Sequence, residues 1–190
     1  MTILERMAAS KANYWAGFTL DFVVSLALIV VGVAAEGISL APVAAFVAGW
    51  TTFTFYEYAL HRWAYHGPRS PLSVIHGWHH ADGTVLLGAP LFFTLGITAI
   101  DLVLARLVVA PALAATFAGT VLLAYAYQSI VHHVAHAWPG SWRVRSTSTL
   151  GRMRRHHMIH HHGDGDANFG MSTPLWDHVF GTVATRVARR

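Results

Sequence analysis

The chain contains no cysteine and few charged residues. Of its 190 residues, 12% are charged and 54% are hydrophobic, and the mean hydropathy is +0.44. Without cysteine the protein has no disulfides and no thiolate metal ligands, so histidine and carboxylate remain as the strong ligands. The low charge and high hydropathy are unusual for a soluble protein and favour a membrane protein. No repeat, low-complexity tract or flexible linker divides the sequence, so we expect a single domain over residues 1–190.

Four apolar segments predict an all-α membrane protein with four transmembrane helices. The segments cover approximately residues 14–35, 40–58, 86–109 and 111–131. A helix of about 20 residues crosses the hydrocarbon core of a bilayer. The first segment also has the form of a signal peptide ending at Val33-Ala34-Ala35, but its apolar run is longer than a usual signal core, so we expect a retained anchor helix. The histidine-rich segments 61–80 and 132–182 are expected to lie outside the bilayer.

The positive charges predict the orientation of these helices. With four spans both termini share one face, and 12 of the 13 Lys and Arg residues fall on that face, with only Arg106 opposite. Because Lys and Arg near span ends are retained on the cytoplasmic side, we expect both termini to be cytosolic.

Histidine is the abundant residue with strong ligand chemistry. The chain has 14 histidines, and ten of them form four groups: His61-x4-His66, His76-x2-His79-His80, His132-x3-His136 and His157-x2-His160-His161. Residues at i, i+3 and i+4 share one face of a helix, so each triplet can converge on a metal.

The first pair is less regular than the other groups. Positions i and i+5 diverge by about 140° on an α-helix, so His66 needs a distorted last turn, for which Gly67-Pro68 gives an opportunity. About 20 helical residues, roughly 30 Å, separate the start of the second span from His61 and the start of the fourth from His132. We therefore expect one histidine cluster at the cytosolic end of the bundle.

Ten imidazoles exceed what one ion accepts and divide into about five for each of two. Structural zinc is usually four-coordinate, whereas five nitrogens with a vacant position suit a redox metal such as iron that also binds oxygen. We expect two iron ions, for which zinc can substitute in a purified sample. Glu57 lies one turn before His61 and Gln128 one turn before His132, so either can orient a ligand ring through a hydrogen bond. His133 and Asp177 are two further candidates for this role. His156 and His162 are interpreted as bystanders.

The motifs resemble a known family. Glu57-Tyr58-Ala59-Leu60-His61-Arg62, the histidine groups, Asn168-Phe169-Gly170 and the closing Trp176-Asp177-His178-Val179-Phe180-Gly181-Thr182 are similar to the integral-membrane fatty acid hydroxylase/sterol desaturase superfamily. The resemblance runs from about Tyr56 to the end of the chain. Within the superfamily, the opening and closing motifs are most similar to fatty acid and ceramide 2-hydroxylases.

The resemblance implies a dinuclear metal site that faces the cytosol and uses O2 and two electrons to hydroxylate a lipid from the bilayer. The similarity to 2-hydroxylases implies that the lipid is a fatty acyl chain hydroxylated at the 2-position. Many fungal and animal members carry an N-terminal cytochrome b5 domain that this sequence lacks. We therefore expect a separate electron donor, cytochrome b5-like or ferredoxin-like, and a bacterial inner membrane rather than an endoplasmic reticulum. No nucleic-acid partner is expected.

Other functions share the same residues. A sterol or carotenoid hydroxylase or desaturase and a lipid-headgroup hydroxylase belong to the same superfamily, and its motifs do not decide among them. A divalent-metal transporter is an alternative from another class, but it needs ionisable residues near the middle of the bilayer. The second and fourth segments offer none there.

Overall fold

A computed structural model describes residues 2–136, 144–163 and 165–185. These residues are mainly helical and contain no strand, which confirms the all-α class. Four of the cations used for the orientation, Arg143, Arg186, Arg189 and Arg190, lie outside the described residues. The helices are α1 (Ile3–Ala8), α2 (Lys11–Glu36), α3 (Leu40–Ala59), α4 (Pro71–Ala81), α5 (Leu91–Ala105), α6 (Pro111–His136), α7 (Thr149–His162) and α8 (Leu175–Phe180), with a π-helical turn over Leu60–Tyr65.

Serine side chains cap the N-termini of three helices, α2, α4 and α7. Ser10 caps α2, and Ser148 caps α7 by accepting a hydrogen bond from the Gly151 amide at 3.1 Å. At α4, Ser70 and Ser73 form a reciprocal capping box and Pro71 occupies the first turn. Such caps satisfy amide groups that have no partner inside the helix. They fix where the two helices that carry the histidine triplets begin.

One compact unit consists of residues 3–53 and 88–126. Its buried core is formed by Phe53, Val121 and Ala124. A Cβ atom at Gly32 would overlap the side chain of Thr116, so α2 approaches α6 more closely than any larger residue permits.

A second compact unit consists of residues 54–87 and 127–190. It includes the π-helical turn, α4, α7, α8 and the C-terminal parts of α3 and α6, and it carries all the histidines of the four groups. Tyr58 is fully buried in this unit and stacks on Phe180 with ring centroids 5.1 Å apart. The assignment of the whole chain to a single domain stays a prediction.

Among the residues that the structure describes, two helices are long and apolar enough to cross a membrane, α2 (Lys11–Glu36) and α6 (Pro111–His136), while α5 is a shorter apolar helix. Only 17% of the most apolar stretch of α2 is buried, and Val30 and Val31 are each more than 60% exposed. A long helix with so much exposed apolar surface is typical of contact with lipid. The third predicted span, 86–109, is helical only over Leu91–Ala105. The number of four spans stays a prediction.

Candidate metal centre

The π-helical turn brings His61 and His66 to the same side of the chain. The His66 amide donates to the His61 carbonyl over five residues at 3.1 Å, where an α-helix would bond over four. This wider turn is the distortion that the i, i+5 spacing requires. The two imidazole rings lie 5.3 Å apart, and π-helical turns of this kind are frequent at functional sites.

Five ring nitrogens, one from each histidine, converge in the first group, which we call the five-histidine group: His61, His66, His76, His80 and His160. All five atoms lie within 4.8 Å of one another. The Nε2 atoms of four of them form a closed ring in which successive distances are 3.0, 3.0, 3.1 and 3.1 Å, for His66, His76, His80 and His160 in that order. The His61 Nε2 atom lies 3.2 Å from the His76 Nε2 atom.

These spacings are those of ligands around one ion. Metal–nitrogen bonds of about 2.1 Å at right angles place adjacent nitrogens about 3.0 Å apart. A network of hydrogen bonds does not account for the ring, since a neutral imidazole has a single N–H and the His76 Nε2 atom has three nitrogen neighbours.

The hydrogen-bond partners of His61 and His160 show which nitrogen of each ring carries the proton. The Nδ1 atom of His61 lies 2.5 Å from the Phe169 carbonyl oxygen, and that of His160 lies 2.7 Å from the Ala167 carbonyl oxygen. A carbonyl only accepts, so each Nδ1 atom carries the proton and donates it. The Nε2 atoms of His61 and His160 therefore direct lone pairs at the centre of the group, as a metal ligand must.

The second group, the four-histidine group, consists of His79, His136, His157 and His161, whose ligand atoms also lie within 4.8 Å of one another. The Nε2 atoms of His136 and His157 are 2.7 Å apart. His132 stands beside this group, with its Nε2 atom 2.8 Å from that of His79. The structure therefore gathers nine of the ten predicted ligands into two groups and leaves the tenth in contact with one of them.

Each histidine triplet is divided between the two groups. On α4, His76 belongs to the five-histidine group together with His80, whereas His79 faces the four-histidine group. On α7 the reverse holds, because His157 and His161 join the four-histidine group and His160 the other. In each triplet, the residues at i and i+4 belong to one group and the residue at i+3 belongs to the other.

Burial keeps the imidazoles neutral. It lowers the pKa of His61 and His157 well below the ordinary value, and the surrounding imidazoles lower it further. Burial also lowers the pKa of His79 to about 2 and that of His160 to about 3, although the hydrogen bond to Ala167 opposes the change in His160. Neutral imidazole is the form that binds metals, so the groups hold metal-binding donors at neutral pH.

A backbone segment that we call the strap, residues 167–172, supplies both carbonyls that bind the ligand rings. Asp177, which is fully buried, holds it by accepting from the Phe169 amide at 2.8 Å and the Gly170 amide at 2.9 Å. Glu57 accepts from the Met171 and Ser172 amides at 3.1 and 3.0 Å. Both carboxylates thus act on the ligands through the strap.

Asp177 also binds His156, a residue that sequence reasoning took for a bystander. The His156 Nε2 atom lies 3.0 Å from Asp177 Oδ2, and the Thr182 hydroxyl donates to Oδ1 at 2.7 Å. Burial alone would raise the pKa of Asp177, but these hydrogen bonds and those from the strap amides hold it below its usual value. The carboxylate therefore stays charged and keeps its four donors.

The remaining predicted residues lie elsewhere. Gln128 donates to the sulfur of Met171 at 3.2 Å, and so contacts the strap instead of His132. His133 is half-buried on α6 and belongs to neither group, and His162 is exposed. The strap carries no residue of a metal-ligand type, and the sequence signals for this part of the site were the Asn168-Phe169-Gly170 motif and the closing motif that contains Asp177.

Comparison with known proteins agrees with this arrangement. The model of the fatty acid hydroxylase family matches residues 46–182, which include all ten predicted ligands. The chain belongs to the fatty acid hydroxylase family. The family resemblance predicted from the motifs is therefore confirmed.

Curated relatives in this family carry 2-hydroxylase names. The chain is 30% identical over 164 residues to the dihydroceramide fatty acyl 2-hydroxylase FAH2 of Arabidopsis thaliana, covering 79% of this chain and 65% of the relative. It is 32% identical over 149 residues to the fatty acid 2-hydroxylase of Rattus norvegicus, covering 73% of this chain and 39% of the relative. The chain thus spans less than two thirds of the length of these relatives.

A solved structure has the same fold. It is described as full-length scs7p with only the hydroxylase domain visible, and it matches with a TM-score of 0.74 over 97% of this chain and 70% of that chain. The sequences are 21% identical, so the match supports the fold.

Proposed function

We propose that this protein is a membrane-bound lipid hydroxylase that holds two iron ions and inserts one oxygen atom of O2 into a C–H bond of a fatty acyl chain. The observation that carries the proposal is the convergence of five imidazole nitrogens on one centre beside a second group of four. Family membership supports the same chemistry.

Ten histidines are the proposed ligands. His61, His66, His76, His80 and His160 hold one iron, and His79, His136, His157 and His161 hold the other, with His132 as its fifth ligand. An all-nitrogen set with room for a further ligand suits iron that must also bind O2, whereas a closed four-coordinate set would suit structural zinc.

The reaction is balanced by two electrons and two protons. One oxygen atom of O2 enters the C–H bond and the other leaves as water, so RH, O2, two electrons and two protons give ROH and H2O. Bound iron supplies the activation of O2. The buried imidazoles would bind the iron in their neutral form, and the Phe169 and Ala167 carbonyls accept the Nδ1 protons of His61 and His160, which leaves the Nε2 atoms to face the centre. A separate cytochrome b5-like or ferredoxin-like protein supplies the electrons.

The substrate is proposed to be a fatty acyl lipid, hydroxylated at the 2-position. Relatives named as fatty acid and dihydroceramide fatty acyl 2-hydroxylases support this choice. Helices α2, α3, α5 and α6 are proposed to span the membrane in a single domain with both termini cytosolic, and the bacterial inner membrane is the proposed location. An apolar substrate then reaches the centre from the bilayer, while O2 and electrons arrive from the aqueous side.

The metal sites are tested by metal content. Purified protein is expected to bind two equivalents of iron, and the double variant His157→Ala, His161→Ala is expected to bind one, because it loses two ligands of a single group. An exposed-histidine variant, His178→Ala, is the matched control and should retain both equivalents. Two equivalents in the double variant would contradict the ligand assignment.

The activity is tested by comparing the lipids of cells that express the wild type with those of cells that express the double variant. A lipid that carries one additional oxygen only in the wild-type cells would support hydroxylation, and its fragmentation pattern would locate the hydroxyl group. A lipid that has lost two hydrogens would instead identify a desaturase. Identical lipid profiles, with O2 and a reductase partner supplied, would argue against the proposal.

A further inference from the structure

The two histidine groups differ in the contacts that hold their ligands. In the five-histidine group, the Nδ1 atoms of His61 and His160 each donate to a strap carbonyl. In the four-histidine group, the Nδ1 atoms of His79 and His157 are buried and have no hydrogen-bond partner within the described part of the chain. The four Nδ1 atoms can be compared directly, because all four histidines are buried to a similar degree and none is more than 4% exposed.

The strap is held rigidly enough to orient a ring. Four consecutive amides, those of residues 169–172, donate to only two carboxylates, Asp177 and Glu57. Asn168, at the start of this run, adopts a left-handed conformation with φ of 59°. Its side chain accepts from the Ala184 amide at 2.8 Å and donates to the Ala184 carbonyl at 2.9 Å. The carbonyls on either side of this left-handed residue, those of Ala167 and Phe169, are the ones that bind the ligand rings.

We infer that the strap positions ligands of the five-histidine group alone, and that this group therefore holds its metal more tightly than the four-histidine group does. The inference rests on the proposed function, because it takes both groups to be metal sites. A hydrogen bond from Nδ1 to a carbonyl fixes the ring orientation and makes the opposite nitrogen a better donor. In this scheme Asp177 and Glu57 are positioning residues, which act through the strap amides that they bind.

Metal release into a chelator tests the inference. Full-length protein in detergent is loaded with two equivalents of Co²⁺, mixed with excess EDTA, and followed by the visible absorption of bound Co²⁺. Release should occur in two phases of equal amplitude whose rates differ by about tenfold or more. The double variant His157→Ala, His161→Ala should keep only the slow phase, which assigns that phase to the five-histidine group.

Asp177→Asn should accelerate the slow phase by about 10–100-fold and leave the fast phase unchanged, because the two rings that bond to the strap carbonyls, His61 and His160, both belong to the five-histidine group. The Co²⁺ spectrum of the slowly released ion should change with it, which a general loss of stability would not produce. Asp82→Asn is the matched control, since this exposed carboxylate accepts from the amide and the hydroxyl of Thr84 in its own loop and has no other bond within the described residues. If Asp177→Asn yields no folded protein, Thr182→Val, which removes one donor to the same carboxylate, should show the same selective acceleration.

Three results would overturn the inference. They are release of both ions at one rate, loss of the slow phase in the His157→Ala, His161→Ala variant, and equal acceleration of both phases by Asp177→Asn or Thr182→Val. Protein that takes up no metal would refute the proposed function as well. Protein that takes up two ions and releases them at one rate would refute only the inequality of the two groups.

Discussion

Acidification is a quantitative test of the buried imidazoles. His61, His79, His157 and His160 are between 1% and 4% exposed, and burial lowers the pKa of all four, to about 2 for His79 and about 3 for His160. In the unfolded chain, each imidazole titrates near about 6.5. Metal-free protein, prepared by chelation, is therefore expected to lose stability as the pH falls below that value.

The sign and size of the effect follow from proton binding. Below pH 6.5 or so the unfolded chain binds more protons than the folded protein, so the free energy of unfolding decreases as the pH decreases. The stabilisation that the buried imidazoles provide is complete above this pH. It is lost progressively as the pH falls towards the lower pKa that each imidazole has in the folded protein. Between about pH 7.5 and 5.5, each imidazole that stays neutral lowers the free energy of unfolding by about 1.4 kcal/mol. Four such groups lower it by about 5–6 kcal/mol, which is comparable with the whole stability of a typical domain.

The measurement is denaturant unfolding in detergent, followed by tryptophan fluorescence at several pH values across this range. His160→Gln removes one titrating group and should reduce the slope below about pH 6.5 by about 1.4 kcal/mol per pH unit. His178→Gln is the matched control for the substitution itself, because it replaces an exposed histidine that belongs to neither group. A free energy of unfolding that does not change over the range would show that the buried imidazoles accept protons, and the reasoning would then fail.

Three further predictions concern single contacts. Gly83→Ala places a Cβ atom where it overlaps the His136 ring, so metal titration should show about tenfold weaker binding at the four-histidine group and unchanged binding at the other. Asn168→Ala should destabilise the protein by about 1 kcal/mol more than Asn168→Gly in denaturant unfolding, since only glycine adopts the left-handed conformation at little cost, and equal losses would contradict this. Thr94→Val removes the hydroxyl that donates to Asp21 at 2.8 Å and should cost about 1–2 kcal/mol in the same assay, whereas Thr94→Ser, which keeps the hydroxyl, should cost less.

Much of the site was readable from residue types and spacing. The i, i+5 spacing of His61 and His66 predicted a distorted turn, and the structure forms it as a π-helical turn. The i, i+4 pair His157 and His161 indeed contributes to one group. These features are local, because the helical period alone decides which residues share a face.

The contacts of the outer residues were not readable. Helical spacing suggested that Glu57 orients His61, but its carboxylate binds amides that lie 114 and 115 residues further along the chain. His156 was interpreted as a bystander because consecutive histidines overshoot one face of a helix, but its ring binds Asp177, which lies 21 residues further along the chain. No local pattern encodes which distant backbone segment returns to a given carboxylate.

Residue types and spacing were enough to predict the helical class, the family and ten candidate ligands, because periodicity and donor chemistry are properties of the residues. The division of those histidines between two groups depends on the fold. Neighbours such as His79 and His80 belong to different groups, as do His160 and His161. Consecutive residues on a helix point about 100° apart, so one helix can supply two centres, and the packing around it decides which centre each imidazole meets.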